Sequence, residues 1–181
     1  MKKILIMLLS LFATLTVSAQ YWQQVKSEAD ELKGTQASSY HAIKVPDKCV
    51  ITLDDNNNDL FVFSSQGVFD YERDDYGGHH VKALFGMYDE NDKLVSKKTI
   101  SMFVSPESPS NALCKSSPDL SLVASWIRSF KGSVRIVIPR YGNIDFDVKL
   151  PTMQSQKVPN SGQVKPKATP NRSNKKTVRK K

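Results

Sequence analysis

Ser117-Pro118-Asp119-Leu120-Ser121-Leu122-Val123-Ala124-Ser125-Trp126-Ile127-Arg128-Ser129-Phe130-Lys131-Gly132 decides how the chain is read. Ser117 is a good helix N-cap, because its hydroxyl can accept from an orphan backbone N–H. Pro118 fits the first helical position, and Asp119 suits the positive end of the helix dipole. Leu120, Val123, Ala124, Ile127 and Phe130 recur at helical spacing and make one apolar stripe. Leu122 and Trp126 lie at its shoulder, and Gly132 supplies a stop. The period then changes. Val134, Ile136 and Ile138 form one strand, Pro139 to Asn143 a turn, and Ile144, Phe146, Val148 and Leu150 alternate with Asp145, Asp147 and Lys149 in a second strand. This stretch predicts an amphipathic helix followed by a hairpin.

Working back from there, Ser105 to Ser117 reads as a Pro/Ser-rich surface loop carrying Cys114. Val81 to Met87 and Leu94 to Val104 alternate as two strands around the Asp89-Glu90-Asn91-Asp92 turn, with Ile100, Met102 and Val104 on one face. Ser38–Val45, Cys49–Leu53 and Leu60–Phe63 are further strands, and Gln66 to Tyr71 is a short extended piece. Residues 21–33 fit either a helix through Trp22, Val25, Ala29 and Leu32 or a first strand at Tyr21–Val25. The expected fold class is all-β, a β-sandwich of antiparallel strands and hairpins, with one amphipathic α-helix packed near the C-terminal end of the domain.

The start of the chain has the form of a secretory leader. Met1-Lys2-Lys3 is a basic head, Ile4–Leu15 is apolar apart from Ser10 and Thr14, and Val17-Ser18-Ala19 is a small-residue cleavage site. The reading is a signal peptide over 1–19, a single domain over 20–151, and a periplasmic or extracellular location. No later stretch is long and apolar enough for a membrane helix. Two cysteines in an oxidising compartment predict a disulfide between Cys49 and Cys114, worth about 4 kcal/mol by loop-closure entropy. Two buried free thiols are the alternative.

The formal net charge of +8 hides two regions of opposite sign. Residues 20–152 hold fifteen basic and eighteen acidic residues, a net −3. Residues 152–181 hold Lys157, Lys165, Lys167, Arg172, Lys175, Lys176, Arg179, Lys180 and Lys181 and no acidic residue. With almost nothing apolar, that segment reads as a disordered basic tail. Nine cations without interleaved aromatics suit a polyanion: an anionic envelope component, an acidic protein, or nucleic acid bound without sequence preference.

No motif specifies a reaction. There is no Gly-x-Ser-x-Gly elbow, no Cys-x-x-Cys pair and no glycine-rich phosphate loop, so no catalytic residue or cofactor is assigned. Asp55, Asn57 and Asp59 alternate as oxygen ligands would, but a calcium loop starting at Asp55 would need Gly and Glu where Leu60 and Gln66 stand. A solvated turn is the simpler reading. His79 and His80 with Asp74 or Asp75 are the candidate divalent-metal ligands. Adjacent strand residues face opposite ways, so both histidines meet one ion only from a loop.

Several of these features together carry a resemblance: Trp22 at the mature start, Asp30-Glu31-Leu32-Lys33-Gly34-Thr35 before a strand, Gln66-Gly67-Val68-Phe69, the hairpin around Tyr88-Asp89, and the closing helix and hairpin through Phe146. The chain over about 21–150 resembles small secreted bacterial β-sandwich domains, including VasI-like type VI secretion accessory proteins and uncharacterised periplasmic relatives. The resemblance implies a sandwich with one helix and favours the strand reading at Tyr21–Val25. It brings no functional residues, and the basic tail lies outside its pattern. The leading functional expectation is a non-catalytic binding or interaction domain with a polycationic tail. A metal-dependent or carboxylate-based enzyme using residues 70–92, and a structural subunit of a cell-envelope complex, are the alternatives.

Overall fold

A computed structural model of the chain describes residues 21–27, 37–65, 67–142 and 144–156. The predicted leader and the cationic residues from Lys157 to Lys181 lie outside the described residues.

The strands are β1 (Gln23–Ser27), β2 (Ser38–Val45), β3 (Cys49–Asp54), β4 (Leu60–Ser64), β5 (Glu72–Arg73), β6 (His79–Tyr88), β7 (Leu94–Ser105), β8 (Ser108–Cys114), β9 (Ser133–Ile138) and β10 (Phe146–Pro151). The helix α1 (Pro118–Ser129) lies between β8 and β9. All strands join one antiparallel sheet in the order β1-β2-β3-β4-β8-β7-β6-β9-β10, with β5 paired to β6. The all-β class with one helix is therefore the observed fold, and the sheet is open. At one end its two outer strands come close together. The Trp22 indole donates to the Pro151 carbonyl (2.8 Å), and the Trp22 N–H to Gln156 Oε1 (2.7 Å).

The start of α1 follows the sequence reading. Ser117 is the N-cap, its Oγ accepting from Leu120 N–H at 3.1 Å. Leu120, Val123, Ala124, Trp126 and Ile127 are buried, so Trp126 belongs to the core and not to a ligand site. Gly132 acts differently from the helix stop expected of it. The helix ends at Phe130, and a Cβ on Gly132 would stand 2.1 Å from the Tyr88 carbonyl oxygen. Glycine is needed there for close backbone approach to the end of β6.

Four expectations are corrected. The loop expected over Ser105–Ser117 contains β8, a strand in the middle of the sheet between β4 and β7. Ser, Pro and Asn are poor strand formers, but the apolar partners on both sides decide the local state. Ile144 is 77% exposed and precedes β10, so the second hairpin strand begins at Phe146. The folded unit runs past residue 151 into the segment expected to be tail. Thr152 is 1% exposed and donates its hydroxyl to the Phe130 carbonyl (2.7 Å), Met153 N–H donates to the Ile127 carbonyl (2.8 Å), and Gly132 N–H donates to Ser155 Oγ (2.6 Å). The first two of these bonds satisfy carbonyls at the end of α1 that the helix itself cannot.

The fourth correction is the disulfide: Cys49 and Cys114 are free and buried. Cys49 lies opposite Ser64, whereas Cys114 lies opposite Leu60, which pairs with Leu53. The two cysteines share a face but stand four residues and two strands apart, a separation on the order of 16 Å. A disulfide needs Cα atoms about 4.4–6.8 Å apart.

The main core lies on one face of the sheet and includes Ile51, Leu53, Phe69, Phe85, Met102 and Ile136 with the apolar stripe of α1. A second cluster occupies the opposite face of β2–β4. Ala42, Val50 and Phe63 are buried there, with Val25, Tyr40 and Phe61 packed against them.

Candidate functional site

The predicted metal ligands are separated by the strand pleat. β5 and β6 pair Glu72 with His80 and Arg73 with His79, closing a turn over Asp74–Gly78. Asp74 Oδ1 accepts from Gly78 N–H (2.7 Å) and Tyr76 N–H (3.0 Å), and its Oδ2 lies 3.0 Å from His80 Nε2. An ionised carboxylate can only accept, so His80 carries its proton on Nε2 in this contact. The Gly78 N–H bond holds the Asp74 carboxyl below its ordinary range against desolvation, helped by Tyr76 N–H and by the charge and hydrogen bond of His80. A Cβ on Gly78 would stand 2.6 Å from Asp74 Oδ2 and 2.8 Å from His80 Nε2, so a larger residue there would push this pair apart.

His79 points away from this pair and packs edge-on against Tyr71, with ring centres 4.9 Å apart. Asp75 is exposed in the turn. The structure thus joins Asp74 to His80 and places His79 and Asp75 elsewhere. Among the described residues no group of three or more His, Cys, Asp and Glu is placed to hold a metal ion. The side-chain oxygens of the 54–59 loop are engaged by other groups of the protein. Asp54 accepts from Asn56 and Asn57 N–H (2.7 and 3.1 Å), and Asp59 accepts from Ser116 N–H (2.8 Å).

A better-built polar cluster lies elsewhere, at the rim of the main core. Ser39 and His41 are two apart on β2 and share a face. The β2–β3 hairpin pairs Val45 with Cys49 and Tyr40 with Asp54, so Ser39 comes opposite Asp55. Ser39 Oγ donates to Asp55 Oδ2 (2.6 Å), and His41 Nδ1 donates to Asp55 Oδ1 (2.7 Å). Gln24 Nε2 donates to Ser39 Oγ (3.4 Å). From α1, Arg128 donates to the Asp54 carbonyl (2.7 Å) and to Asn58 Oδ1, with its Nη2 3.9 Å from Asp55. Desolvation pushes the Asp55 carboxyl up. The Ser39 and His41 hydrogen bonds, the His41 charge and Gln24 outweigh it, so its pKa is lowered.

This Ser, His and Asp set is not arranged for nucleophilic catalysis. Activation needs serine bonded to histidine, and here both spend their protons on Asp55. The arrangement ties β1, β2, the 54–59 loop and α1 together. Sequence reading passed over it, because His41 is remote from the other histidines. The signal was present in the hairpin: once Pro46–Lys48 is read as a tight turn, counting outward brings Ser39 against Asp55.

Burial keeps both cysteine thiols protonated at neutral pH. Burial pushes the Cys49 thiol up to about 12 and the Cys114 thiol up to about 11, so neither is a ready thiolate.

Two surface features remain. An open cleft of about 480 Å³ is lined by Asp89, Asp92, Gly132, Lys149 and Ser155, among others. Beside it, on the face of β6, β7 and β9 turned away from the main core, a hollow of about 70 Å³ is lined by Leu84, Gly86, Tyr88, Leu94, Lys97 and Val137. Lys149 belongs to the cleft and also stands 4.5 Å over the Tyr88 ring of the hollow, so the two adjoin. No protein-family profile, no curated protein and no solved structure matches the chain.

Proposed function

We propose that the chain is an exported, non-catalytic binding domain whose basic tail holds it to an anionic surface. In this reading the open sheet curls into a two-layer sandwich, as the contacts of Trp22 with Pro151 and Gln156 suggest. The observation that carries the functional reading is the segregation of charge. Beyond Gln156 come 25 residues with nine Lys and Arg and no Asp or Glu, attached to a region whose own net charge is −3. A run of that kind binds polyanions through counterion release and Coulomb attraction, which need no fixed geometry. Lys165, Lys167, Arg172, Lys175, Lys176, Arg179, Lys180 and Lys181 are the proposed contacts.

The test is a salt titration of the mature chain against anionic vesicles and against DNA. A companion variant carries Gln at Lys175, Lys176, Arg179, Lys180 and Lys181. Binding at low salt that falls steeply between about 50 and 200 mM, and falls further in the variant, supports the reading. Absence of binding to both polyanions at low salt contradicts it.

A further inference from the structure

The proposed tail contact leaves open which side of the folded domain meets the surface. On the outward face of β6, β7 and β9, Leu84 is 41% exposed and Leu94 46%, and the adjoining Val95 is 52% exposed. The pairing of β6 with β7 slips by one residue here. Tyr88 lies opposite Leu94 and Met87 opposite Ser96, so Val95 is the extra residue of a bulge. Gly86 leaves a gap in the row Lys97–Gly86–Arg135, and Tyr88 and Leu94 lean over it. The result is a shallow apolar patch with cations at its edge.

The charges around the patch divide in a consistent way. Asp147 is bound by Arg135, Asp92 by Lys149 and Glu90 by Lys131. Asp89 turns Oδ1 to the N–H groups of Asn91 and Lys93 (both 2.9 Å). The Lys82, Lys93 and Lys97 ammonium groups are exposed and make no ion pair among the described residues. The neighbouring carboxylates are thus occupied, while three cations are free.

Resting on the proposed function, we infer that this patch is the part of the domain that lies against an anionic lipid surface, with Leu94 and Val95 entering the acyl boundary and the lysines at headgroup level. Its position near the last described residues supports this. Ser155, one residue before the last described residue, lines the cleft that shares Lys149 with the patch. The last described residues before the basic segment therefore stand beside the cleft that adjoins the apolar bulge. Apolar side chains ringed by lysines with long stems suit a headgroup layer. A second copy fits less well, because pairing this face with itself brings the unpaired lysines against one another. A nucleic-acid backbone offers nothing for Leu94 and Val95 to enter.

The experiment places a Val95→Trp substitution in the mature full chain and adds vesicles of anionic phospholipid containing brominated acyl chains. The native Trp22 and Trp126 are 3% and 6% exposed and give a shielded background. The inference expects the introduced indole to be quenched, and Leu94→Ser with Lys97→Gln to lower vesicle partition at least about tenfold, from the loss of one leucine entering the acyl boundary and one headgroup contact. Vesicle binding without quenching, and with partition unchanged in the Leu94/Lys97 variant, overturns the inference and leaves the tail contact standing. No vesicle binding, with DNA binding retained, overturns it too and moves the tail to another polyanion. Absence of binding to both removes the underlying reading. Quenching-free, concentration-dependent association of the protein alone assigns the face to a second copy and overturns the lipid contact.

Discussion

β3 and β6 belong to one sheet, yet their outward faces differ. On β3, Val50 and Thr52 point away from the main core and are 2% and 4% exposed. On β6, Lys82 and Leu84 point away from the same core and are open to solvent. Cys-Val-Ile-Thr-Leu (49–53) has little alternation, as expected of a strand enclosed on both sides. Val-Lys-Ala-Leu-Phe (81–85) has charge and bulk on its second face. Of these two outward faces, the open one is where a partner can dock.

The strongest way to break this comparison is a matched pair of substitutions. Val50→Asp places a charge in the second cluster and is expected to cost about 3 kcal/mol or more, or to prevent folding. Its counterpart, Leu84→Asp, is the smallest effect expected, within about 0.5 kcal/mol. Urea unfolding of both checks the contrast, and equal losses would erase it.

Between these lies the polar rim that joins the closed half to α1. Arg128→Ala removes the donors to the Asp54 carbonyl and Asn58 and loosens the link to Asp55. A loss of about 1–3 kcal/mol is expected in chemical denaturation. A smaller, pH-dependent effect belongs to Asp55. Its folded pKa is depressed, so its contribution is present above the ordinary carboxylate value of about 3.9 and is lost as pH falls through the folded value. Asp55→Asn should therefore lower stability at pH 7 and flatten the acid side of the profile below about pH 4. Melting curves from pH 2 to 7 would show this, and an unchanged acid limb would dismiss the pair as a contributor.

The comparison also explains which parts of the fold could be read in advance. The helix and the strand core of the final hairpin follow from local rules: an N-cap serine, an apolar stripe, a change of period. The β6–β7 hairpin follows from alternation about one turn. What escaped depends on distant partners. β8 has the composition of a loop and becomes a strand because β4 and β7 flank it. Thr152 to Gln156 look like tail and are held by carbonyls near the end of α1 and by Trp22. The predicted disulfide failed because cysteine count carries no register, and the pairing of β4 with β8 sets the thiols apart. His79 and His80 are conspicuous by adjacency in sequence, whereas the tighter polar set belongs to His41, which meets Asp55 through a hairpin.

The most direct test of the account compares the mature chain with one ending at Gln156, the last described residue, in partition onto vesicles rich in anionic lipid at low salt. The account predicts that both fold with the same unfolding midpoint and that the shortened chain loses most of its partition. Equal partition of the two chains would contradict it, because the cationic residues beyond Gln156 would then contribute nothing to the contact.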